Sequence, residues 1–158
     1  MDPYRFRNLC GRFATGITIV TTFDAEDRPV GMTANSFASI SLEPPLTSVA
    51  IDHAASAHSA LLAARRWTIN ILEANQEALS RRFAAIEPDR FAGVGWQRGP
   101  DDSLRLDGVL AHLVCDRHET IETGDHTILI GRVIDGDAAD HGRPLLYFRG
   151  GYTDPDGF

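Results

Sequence analysis

The chain has 158 residues, with 15 Lys and Arg against 22 Asp and Glu, for a formal net charge of −7. That balance argues against a nucleic-acid backbone or an anionic membrane surface as partner. The length and the 43% hydrophobic fraction suit a single globular domain, expected over residues 1–158.

The opening "MDPYRFRNLCGRF" has no apolar run after a basic start, so a secretory signal is not expected. No window approaches the roughly 18 apolar residues of a membrane span. Phe6, Leu9, Cys10 and Phe13 recur at helical spacing, which predicts a helix over 4–14, broken by Gly16. "ITIVTTF" (17–23) is β-branched and followed by "DAEDRP", a strand and a turn. "VGMTANSFASIS" alternates, which predicts one strand with Met32, Ala34, Ser36, Ala38 and Ile40 on one face. Thr33, Asn35, Phe37, Ser39 and Ser41 take the other face, and "LEPP" ends the element.

"LTSVAID" (46–52) reads as a third strand. "SAHSALLAARR" (56–66) reads as a helix capped by Ser56, with Arg65 and Arg66 near its negative end. "WTINIL" (67–72) is a strand, and "QEALSRRFA" (76–84) a helix with Leu79 and Phe83 paired. Residues 85–107 read as a polar excursion pinned by Phe91 and Trp96. The last third is β: 108–122, 126–138 and 144–152, with the Gly-Asp turn of "TGDH" between the first two. Two helices among six or seven mostly consecutive strands predict a closed or nearly closed antiparallel barrel.

Few residues announce chemistry singly. The hydroxyls and amide of Thr33, Asn35, Ser36, Ser39 and Ser41 suit a flat polar ligand, although composition alone favours a solvent-facing strand. His126, beside a turn, can move a proton near neutrality, although a lone histidine more often bonds a backbone carbonyl. The pairs Arg65–Arg66 and Arg81–Arg82, with Arg90, suit phosphate or a solvated helix face equally in kind. Cys10 and Cys115 fit no ligand spacing and are expected as reduced, mostly buried thiols of a cytoplasmic protein. The six histidines form no H-x-x-x-H or HExxH pattern, so no metal site is expected. GxGxxG, GxxxxGK[ST] and GxSxG are absent.

Read in order, "FATGITIVTT", "GMTANSFASISLEPPL", "SAHSALL", "WTINIL", "LSRRFA", "RFAGVGW", "GDHTILIGRV" and "PLLYFRGGY" resemble the flavin reductase-like family. That family includes the small NAD(P)H:flavin oxidoreductase components of two-component monooxygenases. The resemblance spans roughly residues 4–152, and TANSF with GDHT carries most of its specificity. It implies a mainly β fold with short helices, the antiparallel, Greek-key-like FMN-binding split β-barrel, assembled as a homodimer. It implies FMN or FAD as cofactor, NADH or NADPH as co-substrate, and a separate oxygenase that receives the reduced flavin.

Carried over by position, the resemblance places Thr33, Ala34, Asn35 and Ser36, with Ser39, along the isoalloxazine. It places Ala50, Ile51, Asp52 and Ser56 along the ribityl chain and phosphate, and Arg82, Phe83 and Ala84 near the phosphate or adenine. Gly124, Asp125 and His126 fall at the nicotinamide, with His126 in the catalytic role and Tyr152 as a further nicotinamide contact. The implied reaction is hydride transfer from C4 of the nicotinamide to N5 of the flavin. His53, Ala54 and Ala55 stand where the family often has Ser or a basic residue, which leaves FMN and FAD both open. Gly151 stands where a larger, often basic residue is usual. A non-catalytic flavin-binding or electron-carrier protein on the same barrel is the alternative.

Overall fold

In the computed structural model, which describes residues 1–153 and Asp156, the β-branched run after Gly16 lies at the centre of the molecule. Strand β2 (Thr18–Phe23) is buried on both faces: Val20 packs into one apolar cluster and Ile19 into another. A strand covered on both sides needs no polar alternation, which is why "ITIVTT" reads as a continuous run.

Helix α1 (Pro3–Cys10) precedes it, with Asp2 Oδ2 accepting from the Arg5 amide at 2.9 Å and proline at the first position. The helix ends sooner than its periodicity suggests. The Gly11 carbonyl is claimed by the Arg149 amide at 2.8 Å, which turns the chain away. Strand β1 (Thr15–Gly16) then pairs with Leu146 and Tyr147 near the C-terminus. Strand β3 (Pro29–Ala34) returns along β2.

The alternating stretch 30–41 is two strands. Residues 35–37 leave the ladder, and β4 (Ala38–Leu42) pairs instead with β5 (Pro45–Asp52) at the far edge of the sheet. A register shift between Ser39 and Ser41 breaks the alternation further.

Helix α2 is short, His58–Ala63, and its cap position is Ala57 without a side-chain bond; Ser56 lies outside it. Arg66 opens β6 (Arg66–Ile71), and its Nε bonds Asp116 Oδ1 at 2.6 Å, so the arginine pair serves a strand contact and not a helix end. A 3₁₀ turn (Ala74–Gln76) leads into α3 (Glu77–Ala84), as the Leu79 and Phe83 spacing requires. The excursion carries its own hairpin, β7 (Trp96–Arg98) and β8 (Leu104–Leu106). Phe91 does pin it, with its ring centroid 4.9 Å from that of Phe83 and 6.4 Å from that of Trp96.

Strands β9 (Ala111–Thr123) and β10 (His126–Ala138) form a long ribbon about the Gly124–Asp125 turn, where Gly124 has φ 57. The segment 144–152 bends into a second hairpin, β11 (Leu146–Phe148) and β12 (Gly151–Thr153), because Arg149 and Gly150 both take positive φ.

The seven-stranded sheet runs β3-β2-β6-β9-β10-β5-β4, with every pairing antiparallel. It curls so that the 35–37 link joins its two edges. Ser36 Oγ sutures the gap, donating to the Ala50 carbonyl and accepting from the Ala50 amide, both at 3.0 Å. Val20, Val49, Ile51, Leu61, Trp67 and Leu129 fill one core, and Ile17, Ile19, Leu72, Phe83, Leu104 and Leu145 the other, beside α3 and the excursion. No helix among the described residues is long and apolar enough to cross a membrane.

Candidate functional site

The split between β3 and β4 creates the site. Because the chain must cross from one edge of the sheet to the other, Asn35, Ser36 and Phe37 lie outside any strand. Asn35 and Ser36 are exposed. Ser36 is tied to Ala50, and register places Ile128 opposite Ala50 and His126 opposite Asp52. Ser36 therefore adjoins Ala50, and Asp52, two residues on, pairs with His126 across β5 and β10. Asp52 Oδ1 accepts from the Ala54 amide at 2.8 Å and shapes the loop that follows.

At the turn, His126 Nδ1 lies 2.7 Å from Asp125 Oδ1. The hydrogen bond to His126 holds the Asp125 carboxyl below its ordinary value. An ionised Asp125 only accepts, so Nδ1 carries the proton of that bond. In the neutral ring, Nε2 is then left as an acceptor.

The other side of the crossing is built on α3. Thr33 Oγ1 donates to the Ser80 carbonyl at 2.6 Å, and Ser80 Oγ lies 2.7 Å from Tyr152 Oη. The Arg81 guanidinium covers the Tyr152 ring at 4.7 Å. Tyr152 thus stands with Thr33 and α3, while the Gly124–His126 turn lies beyond Ser36 at the β5–β10 end.

Several residues carried over by resemblance have side chains committed elsewhere. Phe83 is in the core beneath Gly31, where a Cβ would sit 2.9 Å from its ring, so the glycine admits the aromatic and Phe83 presents only backbone to a ligand. Ile51 and Ala34 are likewise buried. Arg82 Nη1 donates to the Ala92 carbonyl at 2.7 Å. Ser39, Ser56 and Ala84 are exposed, Ser39 on the edge strand β4.

Two cavities flank these residues. Asn35 borders one of about 480 Å³, walled by Phe13, Thr15, Tyr147 and Cys10. Thr15 Oγ1 is buried there without a hydrogen-bond partner. Aromatic walls and an exposed amide fit a flat ring with a polar edge, which is what a flavin or nicotinamide offers. Ser56 borders the other, about 440 Å³, with Gly31, Arg28, Arg90 and Phe91. Arg90 spends its guanidinium on the Ala85 and Gly31 carbonyls, at 3.0 and 2.9 Å.

Cys10 is exposed beside the first cavity, contrary to the buried thiol expected from sequence. Cys115 is buried as expected, and desolvation pushes its thiol up to about 11. Sequence reasoning also passed over Thr15, Ser80 and Tyr147. Each is an ordinary residue of a strand or helix, made special only by what folds against it.

The fold is that of the flavin reductases. The chain matches the flavin reductase like domain over residues 10–156 and belongs to that family. It is 39% identical over 158 residues to HsaB of Rhodococcus jostii, a flavin-dependent monooxygenase reductase subunit, covering 99% of this chain and 80% of that one. It is 42% identical to Stc3 of Rhizobium meliloti, a stachydrine N-demethylase reductase subunit, covering 98% of this chain and 66% of the relative. Among solved structures it superposes on SgcE6 of Streptomyces globisporus, an NADH:FAD oxidoreductase in complex with NAD and FAD fragments, with TM-score 0.91 and 37% identity over 99% of this chain and 96% of that one.

Proposed function

We propose that residues 1–158 act as one NAD(P)H-dependent flavin reductase domain, reducing FMN or FAD and passing the reduced flavin to a separate oxygenase. The observation that carries this reading is the edge register. Asp52 and His126 pair across β5 and β10, and Ser36 is sutured to Ala50 two residues away. Support for a pyridine nucleotide and a flavin comes from SgcE6, and support for an oxygenase partner from HsaB and Stc3.

In this reading Asn35 and the residues around it line the flavin ring, and the Ala50–Ser56 segment runs along the ribityl chain and phosphate. The bound flavin supplies the hydride-accepting atom. His126 presents Nε2 as an acceptor, which suits the carboxamide N–H of a nicotinamide and fixes the face the ring offers. Asp125 keeps that tautomer by holding the proton on Nδ1. The small, exposed side chain of Ser36 lets a planar ring approach the backbone. Tyr152, held by Ser80, closes the α3 side.

The test is a steady-state matrix of NADH and NADPH against FMN, FAD and riboflavin. NADH consumption that depends on added flavin is expected, and none with any pair would sink the reading. His126→Ala is expected to lower turnover about tenfold to a hundredfold while flavin affinity holds. Lost flavin affinity would instead make His126 part of the flavin site. The homodimer and the cytoplasmic location belong to the same proposal, checked by light scattering and by cell fractionation.

A further inference from the structure

The hairpin that presents His126 is gripped from its other face. Alternation along β10 puts Thr127, fully buried, on the face opposite His126. Thr127 Oγ1 donates to Glu122 Oε1 at 2.7 Å, and these two residues are cross-strand partners flanking the turn. His58 Nε2 lies 2.9 Å from Thr127 Oγ1, and His53 Nε2 lies 3.0 Å from Glu122 Oε2. The His53 backbone amide adds a bond to the Asp125 carbonyl, also 3.0 Å. The two imidazoles meet edge to face with centroids 5.2 Å apart.

Counting hydrogens fixes the direction of every bond. Thr127 has one hydroxyl hydrogen, and Glu122 receives it. His58 must therefore donate its Nε2–H to the Thr127 oxygen. The Thr127 hydroxyl, more than its two histidine neighbours, holds the Glu122 carboxyl below its ordinary value. As a carboxylate, Glu122 only accepts, so His53 also donates from Nε2. The result is a one-way chain, His58 to Thr127 to Glu122 and His53 to Glu122. It joins the loop after β5 and the start of α2 to both strands of the β9–β10 hairpin.

We infer that the Glu122 carboxylate and the Thr127 hydroxyl are positioning residues that fix the Asp52–His58 segment at a set distance from the Asp125–His126 turn. This rests on the reductase reading, in which one segment follows the flavin phosphate side and the other the nicotinamide. Two rings held for hydride transfer tolerate little relative drift, and about 1 Å of misplacement can cost on the order of a hundredfold in rate. Glu122 and Thr127 touch neither ring in this arrangement. They act through the backbone of the turn and through two histidines.

The experiment has a spectroscopic arm and a kinetic arm. Long-range ¹⁵N–¹H correlation on flavin-free protein should show His53 and His58 as Nε2–H tautomers, assigned with His53→Asn and His58→Asn. Glu122→Gln replaces one carboxylate acceptor with an amide donor, which should change the tautomer of His53 or His58. In stopped-flow measurements, Glu122→Gln and Thr127→Val should slow hydride transfer about tenfold, with flavin dissociation constants within about twofold. Glu122→Gln should keep the wild-type melting temperature, and Thr127→Val, which removes a buried hydroxyl, should lose more rate than its fall in melting temperature accounts for. Thr127→Ser, which keeps the hydroxyl, should recover most of the rate lost in Thr127→Val. Wild-type hydride-transfer rates in both Glu122→Gln and Thr127→Val would overturn the inference. So would rate losses that only track lost melting temperature, or Nδ1–H tautomers in the wild type. A wild type that oxidises no NADH with any flavin would instead overturn the reductase reading, and the tautomers would still report whether the chain of bonds exists.

Discussion

Two appendages are fastened to this barrel by polar side chains, and they are fastened differently. The β7–β8 excursion is docked by groups with no access to water. Asn70, 0% exposed, donates to the Ile19 carbonyl at 2.9 Å and to Thr21 Oγ1 at 3.0 Å, and accepts from the Leu106 amide at 2.9 Å. Thr21 Oγ1 completes the set by donating to the Leu104 carbonyl at 2.6 Å. The β9–β10 turn is held instead by Glu122, whose side chain is 66% exposed, and by histidines at the barrel mouth. Buried polar groups are costly when left unpaired, so the first network bears on stability. An exposed carboxylate regains water when a partner leaves, so at Glu122 the second network bears on geometry and little on stability.

The largest effect should separate the two networks. Asn70→Ala strands the Ile19 carbonyl and the Leu106 amide in the core and is expected to cost about 3 kcal/mol, read by urea unfolding. If Asn70→Ala left the unfolding midpoint in place, the contrast between the networks would collapse. Thr21→Val keeps the shape and leaves the Leu104 carbonyl without its donor, for an expected loss of about 1–2 kcal/mol.

A smaller effect depends on pH. His112 Nε2 lies 3.1 Å from Arg105 Nη1, which can only donate, so the ring accepts and is neutral. Burial first, and then the Arg105 charge, hold His112 below its ordinary value of 6.5. With the folded value depressed, the unfolded chain takes up the proton first. The contribution is therefore complete above 6.5 and is lost as pH falls through the folded value. Stability measured across that window should fall with acidity, and His112→Gln should flatten the slope. An equal slope in both proteins would mean that the His112–Arg105 contact does not set the pH dependence. The smallest stability change belongs to Glu122→Gln, whose melting temperature should match the wild type while its hydride-transfer rate does not.

Much of the fold is legible in residue order, since β-branched runs, Gly-Asp at 124–125 and the Leu79–Phe83 spacing each report a local preference. Errors arose where a distant partner outvoted that preference. The alternation holds over 30–34, but the chain leaves one edge of the sheet at Asn35, joins the other at Ala38 and shifts register between Ser39 and Ser41. Nothing local in "TANSFAS" records that crossing. "PLLYFRGGY" has strand-like composition throughout, and only the positive φ at Arg149 and Gly150 shows where it turns. The site was legible as segments. The split of roles within them was not, as with Phe83, which faces the core, and Ser36, which closes the barrel.

By itself, the sequence determined where the main apolar strands and the helices fall, the resemblance to flavin reductases and the turn that presents His126. These follow from periodicity, turn chemistry and motif order, which are properties of neighbours in the chain. Only the tertiary structure decided that Asp52 faces His126, that Tyr152 answers to Ser80, and that Glu122, Thr127, His53 and His58 form one chain of donors. Those facts depend on strand register and on how many hydrogens each group carries, and register is set by the closing of the whole sheet.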